Sequence, residues 1–198
     1  LENKTYDNLY YVLFGDNSTQ TNPHHQSVFN LTDTSLTLSR GIIFRNASNF
    51  IKRNEFDESK LKDLQNTSVL NLNKSSLTGD VINQYTTFDE TQYVYQIGLK
   101  NNTQVILTSS EWTGDLKDEI TLGGTSLDTP VDKNEAGGEY VVSLKNGSSW
   151  TGAVDVAKKS TVEVTLDGTS SWTVTKDSKV NSIQFENVAT RRAAQQKG

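Results

Sequence analysis

At 198 residues, with only 33% of them hydrophobic, the chain has material for one sizeable core and no second large one. Its longest apolar runs (YYVLF, GIIF, YVVSL) fall far short of the roughly 18–20 residues that cross a bilayer, so no transmembrane segment is expected. Its 19 Lys+Arg are scattered among 24 Asp+Glu for a net charge of −5, which leaves no basic stripe for nucleic acid; the absence of cysteine removes disulfides and thiolate chemistry.

The first 50 residues form a cap or pairing region. Tyr6, Leu9, Tyr10, Tyr11, Leu13 and Phe14 are too apolar for a free tail, so they either cap the first repeat or pair with a neighbouring subunit. His24-His25 is the only histidine pair and reads as a surface loop, because adjacent turn positions do not converge on one metal. One short helix is predicted from Asn54 to Gln65, with Asn54 as cap, Asp57 and Glu58 in the first turn, and Phe56, Leu61 and Leu64 on one stripe. Lys52, Arg53, Lys60 and Lys62 are interleaved with acids there and make a solvated face.

Beyond that point strands dominate. Short β-branched runs bounded by turn residues predict strands at 69–72, 105–107, 140–144, 162–166 and 172–175. In 162–166, Val162, Val164 and Leu166 share one face while Glu163 and Thr165 take the other. Residues 83–100 and 117–138 are expected as loops or side hairpins, and 191–198 as a flexible tail.

Four segments align: Leu72-Asn-Lys-Ser-Ser-Leu77-Thr-Gly-Asp-Val81, Leu107-Thr-Ser-Ser-Glu-Trp112-Thr-Gly-Asp-Leu116, Leu144-Lys-Asn-Gly-Ser-Ser-Trp150-Thr-Gly-Ala-Val154 and Leu166-Asp-Gly-Thr-Ser-Ser-Trp172-Thr-Val-Thr. Each is a strand, a Ser-rich turn, a large apolar residue, Thr, and in three copies Gly. The large residues recur at intervals of 112 − 77 = 35, 150 − 112 = 38 and 172 − 150 = 22. A period near 22 suits one turn of a parallel β-helix, and the longer intervals suit turns carrying inserted loops. No single unit buries its apolar face, so copies must stack, with Leu77, Trp112, Trp150 and Trp172 as an inward core column. The natural Leu77 at a Trp position argues for interior bulk rather than an outward sugar platform.

These motifs define the expected architecture: one all-β domain over 1–190, a right-handed parallel β-helix (solenoid) over 51–185 with inserted loops and at most one short helix. A β-sandwich is the alternative. Eight Asn-X-Ser/Thr sequons, at Asn3, Asn17, Asn30, Asn46, Asn66, Asn73, Asn101 and Asn146, are about twice the number that 18 Asn and 44 Ser/Thr produce by chance. On a secretory route they are glycosylation candidates, expected on exposed turns.

The pattern of 69–185, and above all of 139–185, resembles the passenger repeats of autotransporter-like and other cell-surface adhesins. That resemblance implies an elongated extracellular scaffold with a structural rather than catalytic motif. The leading function is an adhesive surface module, with self-association through the unpaired strand edge that each β-helix terminus exposes, or with cell-surface and glycan partners. No nucleophile elbow, phosphate loop or dinucleotide fingerprint is present, so no catalytic residue, cofactor or metal is assigned. Asp115, Asp118 and Glu119, or Asp128 and Asp132, are the acids that a calcium site or a glycosidase pair would draw on. A polysaccharide-binding module or a carbohydrate-active enzyme on the same scaffold is the alternative function.

Overall fold

A computed structural model of the chain describes residues 2, 4–16, 24–46, 50–52, 65–87, 93–95, 101–122 and 138–186. In chain order the strands are β1 (Thr5–Asp16), β2 (His24–Thr32), β3 (Ser35–Asn46), β4 (Phe50–Lys52), β5 (Gln65–Asn73), β6 (Ser76–Thr87), β7 (Tyr93–Tyr95) and β8 (Asn101–Thr108). They continue with β9 (Glu111–Thr113), β10 (Leu116–Leu122), β11 (Gly138–Lys145), β12 (Ser149–Gly152), β13 (Val154–Asp155), β14 (Thr161–Leu166), β15 (Ser171–Val174) and β16 (Ser182–Phe185). The fold is all-β, with no helix among the described residues. Of the helix expected at Asn54–Gln65, residues 54–64 lie outside the described residues, and Gln65 opens β5.

The strands form two large sheets, parallel in every pairing. A six-stranded sheet runs β16-β14-β11-β8-β5-β2, and an eight-stranded sheet runs β1-β3-β6-β9-β12-β15, with β10 beside β6 and β13. Apart from β4 and β7, the chain passes back and forth between the two sheets, with β10 and β13 following β9 and β12 on the eight-stranded one, and each pass lies one position further along. The only antiparallel pair among the described residues is the small β4–β7 ladder; an antiparallel sandwich would show hairpins throughout.

Alternation within each strand sets the core between the sheets. In β11, Tyr140, Val142 and Leu144 are buried while the residues between them are not, as period-2 geometry requires. Because the ladders are in register, like residues stack into columns. On the six-stranded sheet one column is Leu31, Leu72, Leu107, Leu144 and Leu166, ending at Phe185. On the eight-stranded sheet Tyr6, Leu36, Leu77, Trp112, Trp150 and Trp172 form another.

The short turn from one sheet to the other explains the Ser-rich motif. Asp33, Lys74, Ser109 and Asn146 all adopt left-handed φ, between 47° and 54°, a conformation that costs non-glycine residues energy. The first three keep their N–H groups in the inter-repeat ladder, donating to Asn73, Thr108 and Lys145 carbonyls at 3.0–3.1 Å. A hydroxyl residue follows, directly in the first three turns and after Gly147 in the fourth. Thr34 N–H donates to Ser75 Oγ, Ser75 N–H to Ser110 Oγ, Ser110 N–H to Ser148 Oγ and Ser148 N–H to Ser170 Oγ, at 3.0–3.1 Å. A buried N–H without such a partner costs about 1–3 kcal/mol, so the column fixes both the turn and the stacking register.

Three sequence expectations are corrected here. Residues 83–87 and 117–122 are strand, not loop: β10 pairs with β6 from Leu116↔Val81 to Leu122↔Thr87, because Val81, Ile82 and Leu116 extend the buried pattern. The repeat also starts earlier than the four aligned segments, since β2 and β3 pair with β5 and β6 throughout. Finally, His24 and His25 open β2 rather than occupying a loop. The aromatic N-terminal segment pairs within the chain, β1 lying parallel to β3.

Candidate functional site

Trp112 and Trp150 are fully buried and Trp172 is half-buried. Their rings are parallel to 2° and 5° with centroids 4.7 and 4.5 Å apart. Planes in contact at about 3.5–4.0 Å are slipped at those separations, the arrangement the ring quadrupole prefers. Each indole N–H reaches back one repeat to a glycine carbonyl: Trp112 to Gly79 and Trp150 to Gly114 at 2.9 Å, Trp172 to Gly152 at 3.1 Å. Leu77, also buried, continues the column at Trp112. These residues are the structural spine.

The sequons fall into three groups. Asn3 and Asn17 lie outside the described residues. Asn30 is exposed within β2 and accepts a hydrogen bond from Asn71 Nδ2 at 2.8 Å; Asn73 ends β5 and Asn146 sits in a turn, both exposed. Asn46, Asn66 and Asn101 are in strands, and their side chains are outside the description. The expectation that sequons mark turns is thus corrected for Asn30, Asn46, Asn66 and Asn101. In-register Asn pairs such as Asn30–Asn71 suit a parallel ladder.

The acids do not converge. Asp115 Oδ1 accepts the Ala153 N–H at 2.8 Å and its Oδ2 pairs with Lys176 at 3.3 Å. Asp118 accepts from the Tyr140 hydroxyl, from Ser160 Oγ at 2.7 Å and from the Ala157 N–H at 3.0 Å; Glu119 pairs with Arg40. Asp128 and Asp132 lie outside the described residues. No group of three or more metal-ligating side chains occurs among the described residues. Sequence reasoning missed the capping role of these carboxylates, although the repeated Gly-Asp after Thr78 and Thr113 was its signal: Asp80 caps Asp115 N–H at 2.8 Å in the same way.

Burial pushes the Asp118 carboxyl above the usual carboxylate range, against the pull of its hydrogen bonds from Tyr140, Ser160 and Ala157. A raised folded-state pKa gives stability that is complete below the unfolded value of about 3.9 and lost as pH rises through the folded value. Asp167 behaves oppositely: slight desolvation is outweighed by donors from Asn146, Thr169 and Ser170, which hold it well below that range. Its stabilisation is present above the unfolded value and lost as pH falls through the folded one. The two carboxyls act in opposite directions across the acid range, so denaturant midpoints of Asp118→Asn are expected to gain on those of the parent as pH rises. An Asp118→Asn profile parallel to the parent's would show that this carboxyl titrates ordinarily.

Three surfaces remain as candidates. One is the end of the stack at β15 and β16, where Val174, Ile183 and Phe185 are 50%, 46% and 63% exposed. The second is an open polar groove of about 420 Å³ over the turns, lined by Asp33, Ser35, Lys74, Ser76, Ser109 and Glu111. It offers hydroxyls and charges of both signs. The third is the outer face of the eight-stranded sheet. Against protein families, characterised proteins and solved structures alike, the chain shows no significant match.

Proposed function

We propose that this chain is an extracellular structural and adhesive module, a right-handed parallel β-helix that associates end to end. The observation that carries the reading is the exposed apolar end. Ile183 and Phe185 stand in the same columns as buried Val164 and Leu166, and Trp172 leaves one ring face beyond the last stacked pair. At the other end those columns finish with Phe29, Leu31 and Tyr6. A second copy stacked head to tail sets Trp172 toward Tyr6 and Ile183 toward Phe29 and keeps every strand parallel, while Leu31 is already covered within its own chain. Such a contact joins two different surfaces and repeats without closing, which yields filaments. The sequon excess and the resemblance to surface passenger repeats support the location.

The test is sedimentation velocity and negative-stain microscopy across concentration. The parent is expected to form rods that lengthen with concentration. The double variant Ile183→Glu, Phe185→Glu is expected to stay monomeric with an unchanged melting temperature. A parent that is monomeric throughout, or a variant that assembles like it, overturns the reading.

A further inference from the structure

We propose that the outer face of the eight-stranded sheet is a regular hydroxyl lattice that binds the surface of ice. The register places Ser35, Ser76, Glu111, Ser149 and Ser171 in one column and Thr37, Thr78, Thr113, Thr151 and Thr173 in the next but one. Leu36, Leu77 and the three tryptophans lie between them and point inward. None of the ten outward residues is buried, and nine are Ser or Thr. At these two positions, four of the five strands offer only hydroxyls and methyl groups, without charge.

The repeat along the face is regular: Ser149, Trp150 and Thr151 pair one to one with Glu111, Trp112 and Thr113 on one side and with Ser171, Trp172 and Thr173 on the other. Hydroxyls thus repeat at ~4.8 Å across strands and ~6.6 Å along them, over an area of roughly 7 by 19 Å. A short repeat crossed by a longer one at right angles is also the pattern of oxygen atoms on a prism face of hexagonal ice. The array is preset as well. Threonine is stiff at χ1, and Ser76 Oγ donates to Ser35 Oγ at 3.0 Å, so little side-chain freedom is lost on contact.

Sugar recognition is the competing use of a hydroxyl-rich face. It favours exposed aromatic rings on which sugars stack, and here the rings of the same strands are turned into the core. Glu111 is the one defect in the lattice, because its longer charged side chain breaks the Ser column at the central strand.

The experiment follows a single ice crystal in a nanolitre osmometer with the intact chain present. The parent is expected to facet the crystal and open a gap between melting and growth temperatures. Thr113→Tyr is expected to reduce that gap about tenfold, since a protruding ring lifts several hydroxyl contacts at once. Glu111→Ser, which repairs the lattice, is expected to widen the gap. Thr165→Tyr, on the outer face of the other sheet, is expected to leave it unchanged, and all variants are expected to melt with the parent. Rounded crystals with the parent overturn the proposal, as do equal effects of Thr113→Tyr and Thr165→Tyr, or narrowing by Glu111→Ser. Retention on insoluble cellulose or chitin without any effect on ice also overturns it, and assigns the face to polysaccharide.

Discussion

Replacing Trp150 by alanine is expected to lower stability by about 3–5 kcal/mol. The side chain is fully buried and has an indole on each side, so its removal opens a cavity bounded by two flat walls that cannot collapse onto each other. The same substitution strips the Gly114 carbonyl of its indole donor. Trp172→Ala is expected to cost less, because that ring is only partly covered and its hydrogen bond is longer, at 3.1 Å. Trp150→Leu is expected to recover part of the loss, since Leu77 fills the equivalent place one repeat before Trp112. Chemical denaturation of the three variants, read beside tryptophan emission, checks the order. A parent with water-like emission, or a Trp150→Ala variant that melts with it, defeats the account.

A single methyl group placed at Gly114 is expected to be nearly as damaging, at about 3 kcal/mol. A Cβ there would stand 1.9 Å from the Gly79 carbonyl oxygen and 2.9 Å from Trp112 Nε1; at Gly152 it would stand 1.8 Å from the Gly114 oxygen. Those obstacles are backbone, held in place by the same indole bonds that define the column, so the strain has nowhere to go. Gly147 provides the contrast. A Cβ at Gly147 meets nothing within 4 Å, but its φ of +74° is left-handed, and Gly147→Ala is expected to cost only about 1–2 kcal/mol. Thermal melts of Gly114→Ala and Gly147→Ala separate clash from backbone strain. Equal losses would show that the Gly114 carbonyl contact yields easily.

How far the sequence revealed this arrangement depended on whether a signal was local. Leu77, Trp112, Trp150 and Trp172 align in sequence and sit in one register in space, because identical turns carry identical strands into identical places. The β2–β3 unit was invisible for a matching reason. Its glycine comes three residues late: Thr37 pairs with Thr78, and the next pair is Gly41 with Asp80, so Leu38, Ser39 and Arg40 stand opposite Gly79 alone and break the Leu-Thr-Gly signature, although Leu38 stays in the core. The role of glycine was unreadable too, since it depends on an indole from the following repeat. Nor did anything in the strings "Lys-Ser-Ser" or "Ser-Ser-Glu" say that one hydroxyl faces a buried amide while its neighbour faces out. The candidate surfaces were the least legible part, because an outer face acquires meaning only once the strands are set side by side.

The hydroxyl column at the turns bears on how such a chain changes over generations. Ser75, Ser110 and Ser148 are interchangeable joints: each receives and passes on the same bond, between Thr34 at one end of the column and Ser170 at the other. Cutting at two of them and rejoining removes one repeat whole. Excising the 35 residues that separate Ser75 from Ser110 brings Ser110 beyond Thr34, lays Trp112 on Leu36, and shortens the stack by one strand spacing of ~4.8 Å. Duplication between the same joints lengthens it by that step. Copy number is thereby a dial on reach, turned by whole-repeat deletion or duplication, while the local chemistry of every remaining repeat stays as it was.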